Sequence, residues 1–134
     1  MNKDNNIAMI CNICSENRKK FWQQENKNLI IRSGDYIKVR VMGKDKDGKE
    51  AYEHPWFVVN GQIKQDIFDC ALQNKLASIV NTVVGDQYAI KFEDIEDHIE
   101  RGISMEEYNK NQIAFIERFR KLYPHNHENK TAGE

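Results

Sequence analysis

A change of period in the apolar residues constrains this chain more than any motif does. Ile37, Val39 and Val41 alternate with Lys38 and Arg40, and Tyr88, Ile90 and Phe92 alternate with Ala89 and Lys91. A period of two places such residues on one face of a β-strand. Toward the ends the spacing lengthens to three and four, through Ile10, Ile13, Cys14, Phe21 and Trp22 at the start and Met105, Tyr108, Gln112, Phe115, Ile116, Phe119 and Leu122 at the end. That is the spacing of amphipathic helices. The pattern predicts an α+β fold: a small curved antiparallel sheet of four to five strands, which could close toward a barrel, flanked by an N-terminal and a C-terminal helix. The helical stripes are expected to pack on an inner face made of Ile37, Val39, Val41, Phe57, Val59, Ile90 and Phe92.

Local chemistry sets the boundaries. The first helix is expected over Asn6 to Gln24, with Asp4 or Asn5 as its cap. After the turn Ser33-Gly34-Asp35 a strand runs from Asp35 to Met42, and the charged loop Gly43 to Glu50 leads to a second over Ala51 to Val59. Pro55 has no amide to donate, so this second strand lies at an edge, is bulged, or begins after the proline. Asn60-Gly61 predicts a two-residue hairpin turn, because both residues tolerate positive φ. A third strand then follows between Gln62 and Gln73, with a helix over Asp66 to Leu76 as the alternative. Beyond the turn Gly85-Asp86 a final strand ends at Glu93. The segment Glu93 to Glu100 is expected to close the sheet as a helical turn, with Ile95 and Ile99 on one side and Gly102 as its stop. Ser104 and Glu107 form a capping box for the last helix, and Pro124 ends it. The reading is one domain over 1–124, with the polar stretch 125–134 as a disordered tail.

A chain of 134 residues can bury a core without disulfides or metal. Its formal charge is −1, from 20 Lys and Arg against 21 Asp and Glu, so no global field draws it to nucleic acid. No apolar run approaches the ~20 residues that span a bilayer, and no secretory leader pattern opens the chain. Three cysteines are too few and too odd in number for a secreted disulfide framework, which points to the cytoplasm. The wealth of Asn, Lys and Ile with only two prolines points to a bacterial source.

Several clusters invite chemistry. Cys11-x-x-Cys14 has the spacing of a zinc or redox pair, but a structural zinc needs four ligands, and only Cys70, His54 and His98 remain to complete it. Packed core cysteines are therefore the favoured reading, and no cofactor is expected. Gly43 to Glu50 nearly spells a phosphate-binding loop. Glu50 replaces the required hydroxyl, however, and a strand rather than a helix follows, so a hairpin loop is expected. Glu53-His54-Pro55-Trp56-Phe57 joins an acid, a potential base and two aromatics. Glu93, Asp94, Glu96, Asp97 and Glu100 make an acidic cluster beside His98. Lys38, Arg40, Lys44, Lys46 and Lys49 form a basic set, but the interleaved Asp35, Asp45, Asp47, Glu50 and Glu53 cancel most of its field.

Taken in order, Asp35-Tyr36-Ile37-Lys38-Val39-Arg40-Val41, Glu53-His54-Pro55-Trp56-Phe57-Val58-Val59, Leu72-Gln73-Asn74, Gly85-Asp86 and Ile95-Glu96-Asp97 form a series. The series resembles the bacterial domain-of-unknown-function family numbered 2314, over roughly Phe21 to Ile99. Lys75 and His98 depart from the family's proline and tryptophan, and the last helix lies outside the pattern. The resemblance implies a strand rather than a helix over Phe68 to Asn74 and carries no activity with it.

Three functions are weighed. The first is a non-enzymatic protein-interaction or accessory domain that binds through Glu53, His54, Trp56, Phe57, Asp94 and Asp97. The second is a small enzyme or metal protein that uses Glu53 and His54 with Asp94 and Asp97. The third is a weak single-stranded nucleic-acid binder. Missing catalytic signatures favour the first. Partner identity and oligomeric state are left open.

Overall fold

A proline without an amide decides how the middle of this chain is divided. The computed structural model describes residues 12–124, with side chains from Ser15 onward. These fall into two compact units, one holding both helices and the other running from Asn26 to Ile103. In the second unit the strands are β1 (Tyr36–Val39), β2 (Val41–Lys44), β3 (Glu50–Glu53), β4 (Trp56–Lys64), β5 (Ile67–Leu72), β6 (Gln87–Lys91) and β7 (Ile95–Ile99). Five of them form a sheet in the order β6-β5-β4-β1-β7, while β2 and β3 form a separate two-stranded ribbon. All pairings are antiparallel. The sheet is open, with β6 and β7 at its edges, so the barrel alternative is not realised.

The expected strand Asp35 to Met42 is in fact two strands in two sheets. The β1–β4 register runs only to Lys38 opposite Trp56. Next along, Val39 donates its amide to the Pro55 carbonyl at 3.2 Å, and Pro55 has nothing to return. Pairing resumes beyond the break as Val41 opposite Glu53, in the ribbon. One long hairpin is thus broken at Arg40 and at His54-Pro55. Of the three options that the proline left, a strand beginning after it is the one observed, and β4 is central rather than at an edge.

Asn60-Gly61 is not a turn. Both residues lie inside β4, where the register passes from Val59 opposite Cys70 to Gly61 opposite Asp69, so Asn60 is an extra, bulged residue. The hairpin turns instead at Gln65-Asp66, and Asp66 takes the left-handed conformation with φ 64°. The strand alternative for the following segment is the correct one. In β5, Phe68, Cys70 and Leu72 are buried, and Ile67, Asp69 and Ala71 are half-buried.

β6 ends at Lys91, and Phe92, expected on the inner face, instead opens a short 3₁₀ turn, Phe92–Asp94, where it is half-buried. The strand over Tyr88 is not the last. Glu93 to Glu100, expected as a helical turn, contains β7, which pairs with β1. Ile95 and Ile99, expected on one side, fall on opposite faces: Ile95 pairs with Val39 and Ile99 with Tyr36, three residues apart in β1, because a bulge shifts the register between them.

The registers place Ile37 opposite Phe57, Phe57 opposite Leu72, Val59 opposite Cys70, Phe68 opposite Ile90 and Val39 opposite Ile95. All ten are buried. Each such apolar side chain contributes about 1.5–3 kcal/mol on burial, so this face is the core of the unit. Val41, expected among them, is only half-buried because it belongs to the ribbon.

The helical unit comprises α1 (Asn12–Glu25) and α2 (Met105–Leu122). The expected start of α1 at Asn6, with its Asp4 or Asn5 cap, lies outside the described residues, as does the 125–134 tail. α2 begins as predicted, with the Glu107 amide donating to Ser104 Oγ at 3.0 Å. Phe21 of α1 packs on Phe115 and Phe119 of α2, with ring centroids 5.3 and 5.9 Å apart. Arg18 donates to Gln112, and Arg118 holds Glu25 in a two-pronged ion pair of 2.8 and 2.9 Å. The paired positions rise together along both helices, which therefore run in the same direction. Of the predicted stripe, Phe115 and Phe119 are buried, but Met105, Ile116 and Leu122 are exposed.

Candidate functional site

Of the six residues singled out from sequence, Trp56 and Asp97 flank Lys38 in one cross-strand row, while Phe57 faces the core on the other side of the sheet. Glu53, the last residue of β3, turns its carboxylate onto the segment between β5 and β6. There it accepts the amides of Ala77 at 2.8 Å, Ser78 at 2.7 Å and Ile79 at 2.9 Å. Burial pushes this carboxyl up, but the Ile79, Ala77 and Ser78 amides outweigh it and hold the group below its ordinary value. The same segment is fixed at Val80, whose amide donates to the Lys44 carbonyl at 3.0 Å. Ile79 lies so close over β2 that a Cβ on Gly43 would come 2.6 Å from its Cγ2. Glu53 is therefore an anchor that ties an irregular segment to the ribbon.

His54 follows directly, and its exposed ring meets Glu96 through Nδ1 at 2.7 Å. Trp56 is half-buried at the start of β4. Its amide donates to Asn74 Oδ1 at 2.6 Å, and the Lys38 ammonium sits 5.9 Å from its ring centroid. Phe57 faces the core, 2% exposed, edge-on to Tyr88. Asp94 is exposed at the end of the 3₁₀ turn, whereas Asp97 is buried opposite Lys38 and accepts the His98 amide. At the proposed edge His54 pairs with Glu96, which sequence had placed in the acidic cluster and not beside the histidine.

A second buried carboxylate was read in sequence as a turn and strand-start residue and as one of the acids offsetting the basic set. Asp35, 2% exposed, accepts the amides of Arg32 at 3.0 Å and Arg101 at 2.9 Å and meets His98 Nε2 at 2.9 Å. Burial raises this carboxyl, but the His98 bond with the two amides prevails and holds it below the usual range. The arrangement locks the turn before β1 to the chain leaving β7. Sequence held no signal for it: His98 stands opposite the core residue Ile37 only because the bulge in β7 shifts the register between Asp97 and Ile95, and a histidine on that side needs a partner.

Cys11 and the Cys14 side chain lie outside the described residues. Cys70 is wholly buried, and burial with nearby Asp69 pushes its thiol up to about 12, far from the thiolate a metal or a redox partner requires. Among the described residues no group of three or more His, Cys, Asp or Glu side chains could hold a metal ion. No described helix is long and apolar enough to cross a membrane.

One open apolar surface lies on the ribbon. Val41, Gly43, Ala51 and Glu53 share its half-buried side. On the other side Met42 stands opposite Tyr52, 60% and 48% exposed, and the Arg40 guanidinium lies 4.2 Å from the Tyr52 ring centroid. The Tyr52 hydroxyl donates to Glu50 at 3.3 Å, which fixes the ring's edge. In the hairpin loop Asp45 Oδ1 accepts the amides of Asp47 and Lys49, so the segment that resembled a phosphate loop is closed on its own carboxylate. Sequence named Tyr52 only as a strand former and Met42 only as a strand end. The signal that would have found them is the hairpin register, which sets the two opposite each other. Compared with family models, curated proteins and solved structures, the chain matches none.

Proposed function

We propose that this chain is a non-enzymatic protein-interaction domain of a bacterial cytoplasm, and that its docking face is the open side of the β2–β3 ribbon. The observation that carries the reading is the exposed Met42–Tyr52 pair with Arg40 stacked on the tyrosine. Methionine, tyrosine and arginine are the residue types enriched at interface centres. A tyrosine braced by a cation and a hydroxyl bond loses little freedom when a partner covers it. A small enzyme or metal protein built on Glu53, His54, Asp94 and Asp97 is the weaker reading, because Glu53 is held by three amides and Asp97 is buried. Nucleic-acid binding is weaker again, since Lys38 and Arg40 already cover Trp56 and Tyr52 and acids interleave with the remaining lysines. The resemblance to the 2314 family belongs to the same proposal and adds no activity to it.

The test is retention from bacterial lysate on the immobilised full chain, beside a Met42→Ala/Tyr52→Ala variant. The reading expects a protein that the first retains and the second loses, with melting temperatures within about 2 °C of each other. Retention of the same proteins by both, or of none by either, overturns it.

A further inference from the structure

α2 carries two apolar faces, and only one is covered by α1. At 100° per residue, Phe115 and Phe119 point toward α1, while Ile113 lies on nearly the opposite side of the helix. That far side is open, with Ile113 63% and Ile116 36% exposed. Asn109, Gln112, Ile113, Ile116 and Glu117 line a shallow groove of about 450 Å³ there. An exposed apolar stripe of this kind on a helix long enough for five turns marks an association surface.

The charges choose its occupant. The first turn of α2 carries Glu106 and Glu107, and the last turn carries Arg120 and Lys121. Glu106 and Arg120 each lie seven residues from Ile113, so both fall on the groove side. We propose that this face is a homodimer interface, in which α2 of one copy packs antiparallel on α2 of a second. With the two-fold axis at Ile113, that residue meets its own counterpart, and Asn109 faces Glu117 of the second copy, an amide donor against a carboxylate. Lys110 lays its methylene stem over Ile116, and Glu106 faces Arg120. Each pairing occurs twice by symmetry. A parallel arrangement would set Glu106 against Glu106 and Arg120 against Arg120, which like-charge repulsion disfavours.

The experiment is sedimentation equilibrium of the full-length chain, with three variants. Wild type is expected as a concentration-dependent dimer, and Ile113→Asp as a monomer with unchanged helical circular dichroism, since the side chain is solvent-facing. Glu106→Lys alone should weaken dimerisation at least tenfold, and adding Arg120→Glu should restore it, which only an antiparallel pairing permits. A wild-type chain that stays monomeric at millimolar concentration overturns the proposal. If that monomer is destabilised by Ile113→Asp, the face is covered by another part of the same chain; if it is unaffected, a different protein is left as the occupant. A dimer that survives Ile113→Asp, or one that the double charge reversal fails to restore, overturns it equally.

Discussion

Glu53, a candidate binding residue in sequence, and Asp35, a turn residue there, are both carboxylates that tie segments of backbone together in the fold. Each carboxylate satisfies backbone amides that regular secondary structure leaves unpaired, three at Ala77 to Ile79 and two at Arg32 and Arg101. Replacing Glu53 by Gln should lower stability by about 1–2 kcal/mol, the modest end for charged hydrogen bonds because the anchor is partly solvated. Urea denaturation followed by tryptophan fluorescence checks this, and a loss within error of zero contradicts it. The pH dependence follows from the same bonds. Both carboxyls titrate below their ordinary values of 3.8 and 4.5 in the folded state, so the unfolded chain binds protons more readily. Their contribution is complete above the unfolded values and is lost as the pH falls through the folded ones. Stability should therefore be flat from about pH 7 to 5 and decline below about pH 4. Glu53→Gln should shallow that decline. Neither role was legible from sequence, because an acid in a turn or at a strand end has the same local signature whether it faces solvent or three amides.

The elements were legible where one period or one capping residue settled the matter. Ile37, Val39 and Ile90 are buried as their alternation requires, and Ser104 caps α2. Errors arose where two local rules share a signature. Asn60-Gly61 has the composition of a tight turn, but the same pair serves as a bulge when the partner strand continues opposite it. Ile95 and Ile99 fit a helix and a strand equally, and the acids around them tipped the reading the wrong way. The bulge can be tested by substitution. Gly61 does not appear among the positive-φ glycines, and a Cβ there would meet nothing within 4 Å. Gly61→Ala should cost less than ~0.5 kcal/mol and could stabilise through the unfolded state. Gly43→Ala should cost more than ~1 kcal/mol, since its Cβ would be driven into Ile79 at 2.6 Å. A loss of over 1 kcal/mol at Gly61 would restore the tight turn, because a left-handed glycine resists alanine by about that much.

For the whole molecule, the Glu53 and Asp35 carboxylates are engaged with backbone amides, while large apolar side chains stay open, among them Met42 and Tyr52 on the ribbon and Ile113 and Ile116 on α2. The proposed interaction reading rests on this division. Sequence reached that reading through missing motifs and the aromatic edge Glu53 to Phe57, not through Met42 and Tyr52, because exposure is a property of registers that no single segment contains. The division stands or falls on Glu53 being tied inward. The most direct measurement is a pH titration of the backbone amide resonances of Ala77, Ser78 and Ile79 by solution NMR. The account predicts that the three shift together, with a common midpoint below 4.5, and that Glu53→Gln abolishes the shift. Independent midpoints, a midpoint at or above 4.5, or a titration that survives in Glu53→Gln would show that this carboxylate is free to act elsewhere.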